Sequence, residues 1–178
     1  MGQEPFDVVM TTHHAEIYRY LRRLTFRSAE AEDLSQETFL RAFRAYRALP
    51  ADANVRAWLF AIATNLFRNS LRSSKRRRAA HDQVRAKGRG GDGESPEGVA
   101  LFNEARSTVE AVIERLPAKQ RAAFVLRKVH EIPYEEIAES LGCSVDSARA
   151  HVFQAFRKIR SSLDDATLTQ LPAAEVSA

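Results

Sequence analysis

The sequence predicts an all-α protein made of two small helical domains joined by a flexible linker. Apolar residues recur at helical spacing along most of the 178 residues, and no strand-like alternation of five or more residues occurs. Residues 77–98 hold five of the seven glycines and almost no large apolar side chain, so they cannot form a core. We therefore expect a first block at 1–76, the linker at 77–98, a second block at 99–165 and a tail at 166–178.

The first block is predicted to contain three amphipathic helices. Ser28 is the expected N-cap of the second helix, because acidic residues follow it in the first turn, where the helix dipole favours them. Asp52 or Asn54 is expected to cap the third helix. The predicted inner faces are Val9, Ile17, Leu21 and Leu24 on the first helix, some of Leu34, Phe39, Leu40, Phe43 and Tyr46 on the second, and Val55, Leu59, Ile62 and Leu66 on the third.

The second block ends in a predicted helix-turn-helix. The short segment "YEEIAESLG" places Gly142 at a left-handed C-terminal position, and Ser144 is expected to cap the next helix after a brief turn. Two helices joined so tightly favour DNA binding over the alternative, an ordinary amphipathic pair with a solvated polar face. The last helix is expected to pack Val145, Ala148, Val152, Phe156 and Ile159 inward.

Polar stripes mark three helices as candidate interaction surfaces. On the last helix, Ser147, His151, Gln154 and Lys158 are spaced to form one outward stripe, and Arg149 and Arg157 add cations for phosphates. The stripe on the second helix is Asp33, Glu37, Arg41 and Arg44, and from the residues alone solvent exposure is the favoured interpretation.

The stripe on the third helix combines amides and cations. Amides can hydrogen-bond an unpaired base edge, aromatic rings such as Trp58 and Phe67 can stack on bases, and cations can hold phosphates. This pattern suits melted DNA, and a merely solvated face explains it equally well. The stripe is formed by Asn65, Arg68 or Asn69, Arg72, and Lys75 or Arg76.

Composition restricts the class of protein. The net charge of +4 and the pI near 9.5 fit an acidic polymer as the partner. No apolar run approaches the roughly 20 residues that span a bilayer, and acids near the N-terminus argue against export, so we expect an intracellular protein without membrane insertion. Cys143 is the only cysteine, which excludes an internal disulfide and a multi-cysteine zinc site.

An enzyme is a poor alternative. His13, His14 and His81 are the histidines considered for catalysis, and the first two point to different sides of one helix. The chain has no glycine-rich phosphate loop, zinc-protease motif or nucleophile elbow. We expect no catalytic residues, no metal site, no cofactor and no small-molecule substrate.

Three motifs in order resemble bacterial RNA polymerase sigma factors of the extracytoplasmic-function (ECF) class, in the sigma-70 family. They are "AEDLSQETFLRAFRAYRAL", "VRAWLFAIATNLFRNSLRSSKRR" and the stretch from "LPAKQRAAFVLRKVHEIPYEE" to "HVFQAFRKIRSSL". The resemblance implies that 1–76 is a sigma-2 domain and 99–165 a sigma-4 domain. It also implies a non-catalytic subunit that binds core RNA polymerase, directs it to promoters and assists melting.

The resemblance assigns expected roles to the stripes. The second helix is similar to the surface that docks on the polymerase β′ clamp helices, through Asp33, Gln36, Glu37, Phe39, Leu40 and Arg41. The −10 strand is expected to contact Asn54, Trp58, Arg68, Asn69, Arg72, Lys75, Arg76 and Asn65, the last holding a flipped base. The −35 element is expected to contact Ser144, Ser147, Arg149, His151, Gln154, Arg157 and Lys158.

Further partners follow from the same resemblance: the polymerase β flap for the sigma-4 domain, and an anti-sigma factor that would hold the protein inactive in the cytoplasm or at the membrane. Linker residues Asp92, Glu94 and Glu97 are expected to mimic nucleic-acid charge. Many relatives carry basic residues where His151, Gln154 and Phe156 stand, so we expect fewer phosphate contacts and an unusual −35 preference. A stand-alone helix-turn-helix regulator is the alternative, but it leaves the motifs of the first block unexplained.

Overall fold

The computed structural model describes the backbone of residues 4–85 and 109–169, with side chains at 4–77 and 109–163. Within these ranges the chain forms seven α-helices and no strand, which confirms the all-α prediction. The helices are α1 (Phe6–Thr25), α2 (Ser28–Tyr46), α3 (Val55–Arg85), α4 (109–115), α5 (Ala118–Lys128), α6 (Tyr134–Leu141) and α7 (Val145–Thr169). None of the described helices is long and apolar enough to cross a membrane.

Helices α1, α2 and α3 form a bundle in the first block. The four residues predicted on the inner face of α1 are all buried, which confirms the helical phase. On α2 the prediction holds for Phe39 and Tyr46, whereas Leu40 and Phe43 are exposed. The hydroxyls of Tyr20 and Thr64 lie 2.7 Å apart in the core and connect α1 to α3.

The helix ends agree with the sequence at one position and not at another. Asn54 caps α3, since its Oδ1 accepts the Ala57 N–H at 3.0 Å. The prediction that Ser28 caps α2 is wrong, because Ser28 is already helical and Arg27 occupies the N-cap without a side-chain bond. Phe26 has a positive φ of 58°, which ends α1. The next N–H, that of Arg27, donates to the Thr25 hydroxyl, so a side chain of α1 stabilises the two-residue connection to α2.

Helix α3 is longer than the sequence predicts. It continues to Arg85, past residue 76 where the first block is expected to end. Charged side chains dominate this extension, so it follows from helix propensity rather than from an apolar face. The linker residues 86–98, with Asp92, Glu94 and Glu97, and the tail from residue 170 lie outside the described residues, and the predictions for them stay predictions.

Helices α5, α6 and α7 form the second block around the helix-turn-helix. Gly142 adopts φ 57° and ψ 53°, as predicted for a left-handed helix end. Ser144 caps α7, since its Oγ accepts the Ser147 N–H at 3.2 Å. The inward prediction for Phe156 is wrong: it is 49% exposed, and Ala155 is buried instead. Ala155 is three residues after Val152 and four before Ile159, so it lies on the same face of the helix as they do. Phe156 is rotated by about 100° from Ala155 around the helix axis.

The two blocks pack directly against each other, α3 against α6 and α1 against α5. We call this contact the junction. At its centre the fully buried ring of Phe60 lies 5.0 Å from the Tyr20 ring and 5.9 Å from the His130 ring, both edge-on. The Ser140 hydroxyl of α6 donates to the Ala57 carbonyl of α3 at 3.1 Å, which requires close approach of the two helices. One apolar core therefore runs through both blocks.

Charged side chains surround the apolar centre of the junction. Arg56 of α3 donates to Glu16 of α1 at 2.5 and 3.1 Å and lies 3.7 Å from Glu136 of α6. Burial raises the pKa of Glu16, but the Arg56 hydrogen bonds and the nearby positive charges outweigh it and hold that pKa below the usual range. Burial lowers the pKa of His130, whose Nδ1 is 3.9 Å from Glu16.

We expect Phe60→Ala to lower the free energy of unfolding by about 3–5 kcal/mol, because it removes a fully buried ring from the centre of the junction. Phe43→Ala is the matched control, since that ring is 63% exposed and its loss should change stability by less than about 0.5 kcal/mol. Urea unfolding of both variants measures the difference. Equal effects would contradict the placement of Phe60.

We expect Glu16→Gln to make the free energy of unfolding fall less steeply as the pH is lowered. The folded-state pKa of Glu16 is lowered from 4.5, so its contribution is complete above about pH 4.5 and is lost as pH falls through the folded pKa. The lowered pKa of His130 also makes the free energy of unfolding fall as the pH drops, but this begins at a higher pH, below 6.5. Unfolding free energies measured from about pH 7 to about pH 3 test this. A control, Glu37→Gln, removes an exposed pair with Arg41, and an equal flattening in both variants would contradict the junction assignment.

Candidate nucleic-acid interface

The predicted stripe on α3 lies on the surface of the first block. Asn65, Asn69, Arg72, Lys75 and Arg76 are exposed because the opposite face of α3 packs into the core through Ala63, Leu66 and Phe67. Arg68 is half-buried, and its Nη1 donates to Asn65 Oδ1 at 3.4 Å. The helix thus presents amides first and cations further along, on one accessible face.

The aromatic residues of α3 contribute less to this surface than the sequence predicts. In this packed arrangement the ring of Phe67 is buried beneath the guanidinium of Arg121, at 5.3 Å, so it is not available to stack on a base. Trp58 is half-buried and lies 6.3 Å from the Tyr46 ring. Asn54 uses its Oδ1 to cap the helix, so its amide nitrogen is the group most available to a ligand. Contacts from the exposed polar groups therefore dominate this face.

The stripe on α7 borders α5 rather than facing fully outward. Gln120 of α5 donates to Gln154 Oε1 at 2.6 Å and accepts from Lys158 Nζ at 3.0 Å. Ser147 and His151 are half-buried, and the pKa of His151 is lowered by burial and then by the charge of Lys119. His151 therefore adds no positive charge at neutral pH. Gln154 and Lys158 therefore form a polar edge between α7 and α5, and Gln120 holds their side chains in position.

The outermost face of α7 carries two phenylalanines that the sequence analysis did not assign to it. Phe153 and Phe156 are both exposed, beside Arg157 and Arg149. Arg149 pairs with Asp146 at 3.3 Å and lies 5.5 Å from the Tyr134 ring centroid. Phe153 is out of phase with the inner residues of the helix, so its exposure could have been predicted, whereas Phe156 was assigned to the inner face by its spacing from Val152.

The predicted polymerase-docking set on α2 is exposed at Asp33, Gln36, Leu40 and Arg41, and Arg44 of the predicted stripe is exposed as well. Arg41 Nε donates to Glu37 Oε1 at 2.6 Å, which confirms the expected pairing. Phe39 is 6% exposed and forms the floor of an apolar groove between α1 and α2. The α1 wall of this groove, which the sequence analysis missed, includes Phe6 and Met10.

No group of three or more metal-ligating side chains occurs among the residues described. The geometry instead offers three separate surfaces: a polar and basic face on α3, a polar edge with exposed cations on α7, and an apolar groove with charged borders on α2. Surfaces of this kind suit binding to polymers and proteins.

Comparison with known proteins decides the family. Sigma-70 region 2 matches residues 9–78, and sigma-70 region 4 matches residues 106–159. The chain is 31% identical over 165 residues to the RNA polymerase sigma-H factor of Pseudomonas aeruginosa, covering 89% of this chain and 86% of that protein. The chain belongs to the ECF RNA polymerase sigma factors. It is also 30% identical over 160 residues to the ECF sigma-E factor of Escherichia coli K12, covering 86% of this chain and 83% of the relative.

Solved sigma factors share the fold. The chain resembles the sigma factor RpoE of Bartonella quintana, solved with the anti-sigma factor NepR, with a TM-score of 0.68, 23% identity, and coverage of 89% of this chain and 96% of the other. It resembles CnrH, solved with the cytosolic domain of CnrY, with a TM-score of 0.66, 23% identity, and coverage of 90% and 88%. Membership of this family makes the protein a sigma factor, a non-catalytic specificity subunit of RNA polymerase, and the stand-alone regulator is not favoured.

Proposed function

We propose that this sigma factor contacts the −10 element through α3, the −35 element through α7 and the β′ clamp helices of core polymerase through α2. The observation that carries the proposal is the exposed face of α3, where amides and cations lie together on a helix whose other face is buried. On this account the sigma-2 domain is 1–76 and the sigma-4 domain is 99–165.

The chemistry of α3 suits a melted strand. The Asn65 amide can accept and donate hydrogen bonds to the edge of a base that has left the stack. Arg72, Lys75 and Arg76 follow toward the C-terminal part of the helix and can neutralise successive phosphates. Unstacking a base costs a few kcal/mol, and these contacts offset that cost.

The recognition surface of α7 supports base contacts more than phosphate contacts. Its stripe holds hydroxyl, imidazole and amide groups before the first cation, Lys158. Since the lowered pKa of His151 keeps it neutral, charge comes mainly from Arg149, Arg157 and Lys158. We therefore expect a shallow dependence of −35 binding on salt, with specificity from hydrogen bonds to base edges.

The surface of α2 suits a protein partner. A groove floored by Phe39 and bordered by Leu40 and Phe43 offers apolar area, and Asp33 and Arg41 offer charges of both signs at its side. Apolar centres with charged borders are typical of protein interfaces. The β′ clamp helices would dock here, the β flap would contact the second block, and an anti-sigma factor would compete in the cytoplasm.

The junction must open for the protein to contact both promoter elements at once. The −10 and −35 elements are separated by about 25 base pairs, or roughly 85 Å of B-DNA at 3.4 Å per base pair. A compact body of about 150 residues has a radius of gyration near 15 Å, so it is too small to span that distance. We propose that the packed arrangement is a resting form and that core polymerase binds the separated blocks.

We expect Asn65→Ala to reduce core-dependent run-off transcription by about tenfold, because one base contact is typically worth roughly 1–3 kcal/mol. The template is the promoter upstream of the protein's own gene. Ser73→Ala is the matched control, an exposed α3 residue outside the predicted set, and it should keep wild-type transcription. Unchanged transcription by Asn65→Ala would contradict the −10 assignment, and tight duplex binding without any core-dependent initiation would favour a stand-alone regulator.

A further inference from the structure

A cleft between the two blocks collects positive charge from both. One side is formed by residues 67–75 of α3 together with residues 24–30, where α1 ends and α2 begins, and the other by residues 114–121, where α4 ends and α5 begins. The two sides are far apart in sequence, so the cleft exists only while the junction is closed. The basic side chains that line it are Arg27 before α2, Arg68, Arg72 and Lys75 on α3, and Arg115, Lys119 and Arg121 on the other side.

Few carboxylates balance this charge. Glu30 and Glu114 also line the cleft, and Glu30 accepts a hydrogen bond from Ser70 at 2.6 Å. Within the described side chains, no carboxylate lies within 4.0 Å of the cationic groups of Arg72, Lys75 or Lys119 to form an ion pair. The cleft therefore carries net positive charge that the protein does not neutralise locally.

Arg121 is a buried cation at the base of the cleft. It is 4% exposed, its Nη1 donates to the Leu24 carbonyl at 2.9 Å, and its Nη2 donates to the Glu114 carbonyl. Its Nε has no hydrogen-bond partner. Burial lowers the pKa of Arg121, and the charges of Glu114 and Glu30 oppose this only in part, so an anion in the cleft would lower the remaining cost of the buried charge.

The start of α5 adds to this field. The helix begins at Ala118 after Pro117, and no side chain caps its free N–H groups. Pro117, Ala118 and Lys119 all line the cleft, so the positive end of the helix dipole adds to the charge there. Two independent features, a buried arginine with an unpartnered nitrogen and a basic lining from both blocks, thus favour the same kind of ligand.

We propose that this cleft binds a chain of phosphates, such as the triphosphate of a nucleotide or a short inorganic polyphosphate, and that the ligand bridges the two blocks. Several closely spaced negative charges match cations that face each other across a gap. The cleft offers no accessible aromatic platform for a base, since Phe67 is buried, so the phosphates are the recognised part. Binding would stabilise the closed junction by mass action.

The ligand would also oppose promoter binding. Arg68, Arg72 and Lys75 belong both to the cleft and to the −10 surface proposed above, so one side chain cannot serve both partners at once. This consequence rests on the proposed function, whereas ligand binding itself does not. A binding assay without DNA or polymerase therefore keeps the two separable.

The test is calorimetric titration of the full chain with sodium tripolyphosphate and, separately, with magnesium-free ATP, at matched ionic strength. We expect binding of both, and Lys119→Gln and Arg72→Gln should each weaken it by about tenfold, because each removes a charge-assisted contact. Lys128→Gln is the matched control, an exposed α5 lysine outside the cleft, and should bind as the wild type does.

Every outcome of this titration either supports the proposed site or overturns it. Equal affinity for the two probes, or tighter binding of tripolyphosphate, assigns recognition to the phosphates alone, whereas tighter ATP binding would show that the base contributes and would overturn recognition by phosphates alone. Equal weakening by Lys128→Gln would show general charge attraction and overturn the site. Weakening by Arg72→Gln but not by Lys119→Gln would overturn the bridge, as would the absence of binding by either probe.

Discussion

The rest of the structure depends on the junction between the two helical blocks. Phe60, Tyr20 and His130 form an aromatic centre to which α1, α3 and the turn after α5 all contribute. Arg56 links Glu16 on one block to Glu136 on the other, so the same contact is both apolar and ionic. Each block is too small to bury much apolar surface alone, and packing them together enlarges the shared core.

This packing determines which surfaces remain available. The face of α3 that meets α6 is lost to the junction, whereas the face that carries Asn65 and Arg72 stays accessible. The groove above Phe39 on α2 also stays open. In the closed form the proposed polymerase-docking and −10 surfaces are therefore both exposed, whereas a body of this size is too small to contact at once two promoter elements roughly 85 Å apart.

Sequence reasoning predicted most of the fold because local rules determine it. Helical period, Gly142 and the caps Asn54 and Ser144 all depend on neighbours within a few residues, and the structure confirms them. The errors have local causes too. Ser28 failed as a cap because Phe26 and Arg27 already close the turn, and Phe156 failed as a core residue because Ala155 fits the period better.

The junction could not be predicted from the pattern of either block. Arg121 belongs to an unremarkable basic helix in sequence, yet it donates to Leu24, ninety-seven positions away. Phe67 fitted a base-stacking role until the second block covered it. Long-range partners of this kind depend on how two cores fit together, and sequence periodicity carries no information about that. The exposed stripes were predicted because exposure is itself periodic, whereas their roles in binding stay predictions.

The most direct measurement of the central claim is the distance between the two blocks with and without core polymerase. One label sits on Cys143, the only cysteine, and a second on Thr12→Cys, an exposed α1 position. Pulsed electron spin resonance or single-molecule energy transfer reports the distance. The account predicts one short distance for the free protein and an increase of tens of ångströms, toward roughly 85 Å between the DNA-binding surfaces, when core polymerase and promoter are added. An unchanged short distance in a transcribing complex would contradict it.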